Sequence, residues 1–284
     1  MKIAYAFLLV LPLMSWTATA QRLPLKNVEV SARVALNKKT GIYEFFYIVH
    51  NPVQNNQSIA EIRVAIPVNA GVDATLSWAG LTHCPVHFEG MVPKMMIVPT
   101  GDRTPKGWSC SYDPDKTLVF GASRNPGPIK PGSTLDGLVI TSPGLPSIRE
   151  VKTTVDLDVK NVPPSWQDES TDKPADPTLN YWTGKTVGPK APPANFDAKT
   201  FSDYLSLLNE QSAANHWIKA KGLEEELEIQ ISGIKKRLVA KDAKTAKKLV
   251  EAFMEKIKKE ENKALTGEAF ALLYYNAKYM ADNL

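Results

Sequence analysis

The spacing of apolar residues changes once along this chain, and that change limits the folds it can adopt. Over residues 27–37, apolar and polar side chains alternate with a period of two, which is typical of a half-buried β-strand. Beyond Phe196, apolar residues recur every three or four positions, which indicates amphipathic helices. The chain therefore predicts an α+β protein, in which a part made of strands is followed by a part made of helices.

Five further segments of the first part have the composition or alternation of strands, and turn signals such as Asn51-Pro52 and Pro131-Gly132 separate them. They cover residues 42–49, 62–66, 117–122, 134–141 and 148–160. Many short strands without intervening helices favour an antiparallel β-sandwich of immunoglobulin-like type. We assign this domain to residues 21–160.

Residues 161–195 have the composition of a linker, with seven prolines in 35 residues. Trp166, Tyr181 and Trp182 are unusual in a solvated linker, so part of the segment is expected to lie against a domain surface. The stretch "YWTGKTVGPK" contains a Gly-Lys-Thr, but a phosphate-binding loop would need a glycine at the position of Leu179. Pro189 also disfavours the helix that such a loop requires. We predict turns and linker here, without nucleotide binding.

Residues 196–284 carry four apolar stripes with helical spacing, and each stripe must be buried against another element. Asp242 and Thr266 are predicted N-caps of the third and fourth helices. Because the connections are short, neighbouring helices should be antiparallel and form a small bundle. The stripes are Phe201, Leu205 and Leu208; Leu223, Leu227, Ile231, Ile234 and Leu238; Ala246, Val250, Phe253 and Ile257; and Phe270, Leu273, Ala277 and Met280.

The first twenty residues have the features of a secretory signal peptide. Lys2 precedes an apolar run over residues 3–14, and Ala18-Thr19-Ala20 is a small-x-small cleavage site. Cleavage between Ala20 and Gln21 would release a secreted or periplasmic protein; an uncleaved N-terminal anchor is the alternative. No second apolar run is long enough to span a membrane, so no span is expected after cleavage.

The charge composition does not favour nucleic acid as a partner. The chain has 34 basic and 30 acidic side chains, a net charge of +4, and the excess is not concentrated in any one part. Nucleic-acid binding needs a basic patch that neutralises several phosphates.

The chain has two cysteines, Cys84 and Cys110. In an exported protein they are expected to form a disulfide, which would stabilise the fold by about 3 kcal/mol. His83 and His87 flank Cys84 closely enough to suggest a zinc or copper site instead. A metal would compete with the disulfide for the thiolate, and Pro85 disfavours the helix that would bring the two histidines together. We therefore predict the disulfide, with no metal and no cofactor.

Two parts of the chain resemble known families. The segment "HWIKAKGLEEELEIQISGIKKRLVAKDAKTAKKLVEAFMEKI", followed by "LTGEAFALLYYNAKYMADNL", resembles the FIMAH-type helical module of secreted bacterial proteins. This resemblance implies an extracellular accessory module without an assigned catalytic role. The stretch "IKPGSTLDGLVITSPGLPSIRE" is similar to bacterial secreted immunoglobulin-like β-sandwich proteins, in which a Pro-Gly turn leads into a strand that ends in a Ser-Pro loop.

These features together favour a non-catalytic binding or scaffolding protein of the bacterial cell exterior. Its expected partners are a cell-envelope polysaccharide or another exported protein. The chain lacks the Gly-x-Ser-x-Gly motif that is typical of serine hydrolases. The alternative is an envelope hydrolase or metal-dependent enzyme that uses the region of His83, Cys84 and His87.

Overall fold

A computed structural model of the chain describes residues 25–66, 105–113, 117–122, 127–155 and 181–284. Eight strands in the described residues form two sheets, in which every neighbouring pair of strands is antiparallel. The three-stranded sheet has the order β1-β2-β6 and the five-stranded sheet the order β4-β5-β3-β7-β8. The strands are β1 (Glu29–Asn37), β2 (Ile42–Asn51), β3 (Ile59–Ala65), β4 (Trp108–Asp113), β5 (Thr117–Ala122), β6 (Ser133–Ser142), β7 (Leu145–Val155) and β8 (Tyr181–Lys190).

Alternation in the sequence becomes alternation of burial in the sheets. In β1, Val30, Ala32 and Val34 are buried, and the residues between them are exposed. The two sheets meet through their buried side chains, since the rings of Tyr47 in β2 and Phe120 in β5 lie 6.0 Å apart. The predicted α+β class with antiparallel sheets is therefore confirmed.

The chain passes from one sheet to the other between β6 and β7, at Pro143 and Gly144. Gly144 donates its backbone N–H to Oγ of Ser142 at 2.9 Å. A Cβ atom on Gly144 would lie 3.0 Å from the carbonyl oxygen of Lys190, so only glycine fits without displacing the end of β8. This close approach fixes the end of β8 against the turn between the sheets.

The prediction of turn and linker for "YWTGKTVGPK" is wrong, because these ten residues form strand β8. Tyr181 pairs with Thr154 and Lys190 with Leu145, so β8 follows β7 in unbroken register. The glycines that indicated turns serve packing instead. A Cβ on Gly184 would collide with the ring of Trp182, and one on Gly188 would lie 2.9 Å from Cγ of Arg149.

The helices follow β8 after a connection over residues 191–197, and they match the predicted stripes. They are α1 (Ala198–Ala214), α2 (Leu223–Val239), α3 (Ala243–Glu260), α4 (Gly267–Phe270) and α5 (Asn276–Asn283), and a π-helical turn, Ala271–Tyr275, joins α4 to α5. Both predicted N-caps are confirmed: Asp242 accepts from the backbone N–H of Thr245, and Thr266 from that of Ala269. The predicted stripes are buried apart from Leu238 and Phe270, which are partly buried.

The last helical segment packs on the sheets as well as on the other helices. Glu268 accepts a hydrogen bond from the backbone N–H of Ala32 at 2.5 Å, and the phenol of Tyr275 donates to the carbonyl oxygen of Val34 at 3.1 Å. Both contacts cover the outer edge of β1. As a result, the buried apolar residues of the strands and the helices form one continuous core.

Several predictions fall on residues outside the described ranges. They concern the signal peptide with its cleavage site at Ala20 and Gln21, and the cluster of His83, Cys84 and His87. Cys110 is described and lies buried in β4, but the disulfide to Cys84 stays a prediction. Of the helices in the described ranges, none is long and apolar enough to cross a membrane.

Candidate binding cleft

A cleft of about 480 Å³ lies where the five-stranded sheet meets the helices. The ends of β7 and β8 form one side, and the start of α1 and the first residue of α5 form the other. Apolar side chains such as Leu145 and Phe201 share the lining with polar and charged ones, including Lys190 and Asp197. This composition is typical of small-molecule sites, which also tend to occur where two parts of a fold meet. The principal lining residues are Leu145, Lys190, Pro193, Phe201, Tyr204 and Asn276.

Asn276 lines the cleft with a fully buried side chain. Its Nδ2 donates to the carbonyl oxygens of Pro146 at 2.9 Å and Leu272 at 2.8 Å. Because both contacts are to acceptors, they fix the orientation of the amide and assign the remaining atom as the oxygen. That Oδ1 atom is buried and accepts no hydrogen bond from the described residues. A buried acceptor without a donor costs about 1–3 kcal/mol. Because the side chain of Asn276 is fully buried, this atom lies behind the surface of the cleft.

The π-helical turn Ala271–Tyr275 brings Asn276 to this position. The backbone N–H of Asn276 donates to the carbonyl oxygen of Leu273, while its side chain donates to that of Leu272. The backbone and the side chain of Asn276 therefore serve two different carbonyl groups. Single π-helical turns inside α-helices are rare and occur frequently at functional sites.

Lys190 and Tyr204 form one wall of the cleft. The Nζ atom of Lys190 lies 4.3 Å from the ring centroid of Tyr204, in a cation–π contact. The phenol of Tyr204 donates to Oγ of Ser147 at 3.2 Å. Partial desolvation, together with the nearby charge of Arg149, lowers the pKa of Lys190. Burial raises the pKa of Tyr204, so its phenol stays neutral at physiological pH.

The positions of these groups are set by backbone contacts beneath them. The guanidinium of Arg149 donates from Nε to the carbonyl oxygen of Pro189 at 3.1 Å, and Nη2 donates to the same oxygen. Gly144 lies against the carbonyl oxygen of Lys190. The last residues of β8 are thereby held from both sides. These contacts fix the backbone position from which the side chain of Lys190 extends.

Asp197 lies at the exposed rim of the cleft as the N-cap of α1. Its Oδ1 accepts from the backbone N–H of Thr200 at 2.7 Å. Hydrogen bonds from the side chain and backbone of Thr200 lower the pKa of Asp197. This carboxylate therefore has a structural role at the helix start.

A second concavity, about 650 Å³, lies on the outer face of the five-stranded sheet. Its charges largely compensate one another: Arg63 pairs with Glu61 at 2.6 Å, and Lys185 pairs with Glu150 at 2.8 Å. These are exposed or partly exposed pairs of the kind found on solvated sheet faces. The first cleft is the better candidate, because Leu145, Pro193 and Phe201 give it apolar walls, whereas paired charges line much of the second.

None of the cleft residues was predicted as a site residue from the sequence. They come from three separate parts of the chain, around Leu145, between Lys190 and Tyr204, and at Asn276, and they converge only in three dimensions. One signal was available, since Asn276 is a polar residue between Tyr275 and Ala277 in an otherwise apolar helical run. Among the described residues, no group of three histidine, cysteine or acidic side chains could hold a metal ion.

A scan against protein-family models and a search of curated protein sequences both find no match for this chain. The resemblance of residues 216–284 to FIMAH-type modules therefore stays a prediction, as does the resemblance of the strand region to secreted immunoglobulin-like proteins.

Proposed function

We propose that the chain is an exported, non-catalytic binding protein that holds its ligand in the cleft between the five-stranded sheet and the helices. The observation that carries this proposal is the cleft itself, about 480 Å³ in volume, in which apolar side chains such as Leu145 and Phe201 lie beside the cation of Lys190. An apolar cleft with few oriented polar groups is the usual form of a binding site.

We also propose a more specific fold for each of the two regions of the chain. The strand region is an immunoglobulin-like β-sandwich, supported by two antiparallel sheets whose buried faces meet at Tyr47 and Phe120. The helical region is an accessory module of FIMAH type, supported by the apolar stripes that α1, α2 and α3 bury. The sheets provide a rigid support, and the helices close the cleft from the other side.

The state of the polar groups in the cleft supports binding in preference to catalysis. The phenol of Tyr204 is engaged with Ser147, and the carboxylate of Asp197 caps α1. Groups that are held in structural hydrogen bonds can orient a ligand. A catalytic general base, in contrast, must lie within hydrogen-bonding reach of the proton that it removes.

The signal-like N-terminus, residues 1–20, supports a secreted or periplasmic location. The ligand is accordingly a part of an envelope polysaccharide or of another exported protein.

Co-sedimentation of residues 21–284 with washed bacterial envelopes tests this function. Ala191 is exposed and lines the cleft, so Ala191→Trp should fill it without disturbing the core. Ala194 is also exposed, but it does not belong to the lining, so Ala194→Trp is the matched control. We expect saturable sedimentation of the parent protein and of Ala194→Trp, and loss of sedimentation for Ala191→Trp. Equal sedimentation of all three proteins, or none for any of them, would refute the proposed function.

A further inference from the structure

The turn between α2 and α3 concentrates positive charge at one end of these two helices. Residues 196–284 as a whole carry fifteen basic and fourteen acidic side chains. Residues 236–248, which we call the basic hairpin, carry six basic side chains and one acidic one, a net charge of +5. The six cations are Lys236, Arg237, Lys241, Lys244, Lys247 and Lys248.

The charge of the basic hairpin is not neutralised by ion pairs. Five of its six cations are exposed, and within the residues that the structure describes none of the six forms an ion pair. Elsewhere on the same two helices, Lys235 pairs with Asp203 at 3.1 Å and Lys256 with Glu226 at 3.0 Å. The positive charge is therefore available to a partner.

The one acidic residue of the basic hairpin, Asp242, is engaged in the fold. Its Oδ1 accepts from the backbone N–H of Thr245 at 3.1 Å and caps α3. Asp242 also interacts electrostatically with Arg237, which helps to keep the pKa of the carboxyl low. This carboxylate offsets one of the six positive charges and leaves a clear excess.

Helix stability does not explain the lysines at the start of α3. Lys244 lies in the first turn of this helix, which contains no acidic residue. The N-terminal end of a helix is the positive end of its dipole, so a cation there is unfavourable. Lys247 and Lys248 follow in the next turn and add to the same positive field. An anionic partner would compensate for this arrangement.

The tip of the basic hairpin is apolar. Val239 is 67% exposed, and Ala240 and Ala243 beside it are exposed as well. Lys241, with a φ of 58°, closes the turn between them. Apolar side chains among cations suit the surface of an anionic bilayer, where the apolar groups enter the acyl boundary and lysine and arginine contact the headgroups. A soluble anionic polymer would make no use of Val239.

The cations lie close enough to this tip to act on a membrane that touches it. With a rise of about 1.5 Å per helical residue, Lys236 lies about 4.5 Å along α2 from Val239. Lys248 lies about 7.5 Å along α3 from Ala243 by the same measure. Both distances are within the Debye length of about 8 Å at physiological ionic strength.

We propose that the basic hairpin is a docking surface for membranes that contain anionic lipids. Val239 enters the apolar boundary of the bilayer, and the six cations contact the lipid headgroups. This surface goes beyond the proposed function, since no residue of the basic hairpin lines the cleft.

Co-sedimentation of residues 21–284 with lipid vesicles tests the proposal. One set of vesicles consists of phosphatidylcholine alone, and the other contains about one third phosphatidylglycerol, which supplies the anionic surface. We expect binding to the anionic vesicles to be about tenfold tighter or more, and to weaken as sodium chloride is added. Equal binding to both kinds of vesicle, or binding to neither, would overturn the proposal.

Charge-reversal variants locate the contact on the chain. Lys248→Glu should weaken binding to the anionic vesicles by about tenfold or more, because it changes the charge near the tip by two. Lys259→Glu is the matched control, since Lys259 is exposed on the same helix but far from the tip. Equal effects of the two variants would show that the contact is not at the basic hairpin.

A second pair of variants distinguishes a lipid surface from a soluble anionic polymer. Val239→Ser should weaken vesicle binding by about fivefold, because less apolar surface enters the bilayer. Ile229→Ser, at a position of α2 that is 72% exposed and away from the tip, should leave binding unchanged. If Val239→Ser binds vesicles as tightly as the parent, and polyphosphate displaces both, the partner is an anionic polymer and the lipid assignment is wrong.

The cleft and the basic hairpin are tested independently. Ala191→Trp should bind anionic vesicles as the parent does, because Ala191 lies in the cleft lining. Washed envelopes also contain lipid, so their sedimentation is measured in about 0.5 M sodium chloride, which screens the basic hairpin. Loss of envelope binding by Ala191→Trp under these conditions then reports on the cleft alone.

Discussion

The carboxylate of Glu268 accepts a hydrogen bond of 2.5 Å from the backbone N–H of Ala32, although 236 positions separate the two residues. Glu268 is buried and lies in the first turn of the last helical segment. Ala32 lies in β1, an outer strand of its sheet. A side chain from the end of the chain thus satisfies a backbone group near its beginning that no neighbouring strand satisfies.

Replacing Glu268 with alanine should destabilise the protein by about 2 kcal/mol, because the buried N–H of Ala32 loses a charged acceptor. Chemical denaturation measures this change. Glu268→Gln keeps an acceptor oxygen and should recover part of the loss. Glu251→Ala, at an exposed position of α3, is the control and should have little effect. An alanine variant at position 268 as stable as the parent would show that this contact does not hold the helix on the strand.

Gly144→Ala should destabilise the protein by about 1–3 kcal/mol, because the added methyl group meets the carbonyl oxygen of Lys190 at 3.0 Å. Gly121→Ala, where the nearest atom is 4.0 Å away, is the control. The two variants are compared by thermal unfolding. Equal effects would mean that the end of β8 moves aside at little cost.

Gly233→Ala should stabilise the protein by about 0.5–1 kcal/mol. Gly233 lies within α2, and its added methyl group would make only an ordinary contact with Leu249 at 4.0 Å. Alanine restricts the unfolded chain and favours helix more than glycine does. Denaturant midpoints provide the measurement, and a lower midpoint for the variant would contradict the packing described around α2.

Stability should decline between about pH 10 and 12, in part through Tyr43. Burial, and then the neighbouring Tyr275, raise the pKa of Tyr43 from 10.0 to about 12. Over this interval the unfolded state has lost the phenolic proton that the folded state still binds, so the free energy of unfolding falls as pH rises. The contribution is fully present below pH 10 and amounts to about 2 kcal/mol.

Tyr43→Phe isolates this contribution, because phenylalanine does not titrate. The difference in stability between the parent and the variant should change by about 2 kcal/mol from pH 8 to pH 12, in favour of the variant. A constant difference across this range would mean that the folded protein does not hold Tyr43 in its neutral form.

The elements that the sequence predicted are those in which a single period dominates. In β1, Val30, Ala32 and Val34 alternate with polar residues, and in α3 the stripe from Ala246 to Ile257 keeps helical spacing. Their burial follows from local pattern alone.

Strand β8 could not be recognised in this way, because its glycines and Pro189 are typical of turns. Gly188 is required by the close approach of Arg149, and Pro189 is tolerated because β8 is an outer strand of its sheet. Both reasons depend on residues far away in the sequence. The cleft has the same origin, since Lys190, Tyr204 and Asn276 have no common local motif and meet only after the sheet and the helices have packed.

The cover that the last helical segment places over β1 has a consequence for biosynthesis. The edge of β1 is complete once Asn37 has been made, whereas Glu268 and Tyr275 follow their partners in β1 by 236 and 241 positions. During synthesis, that edge is therefore available to other chains until these two residues have been added. A product truncated before α4 would keep the edge open and would be prone to strand-to-strand aggregation, so the segment from Glu268 to Tyr275 acts as an intramolecular safeguard against self-association.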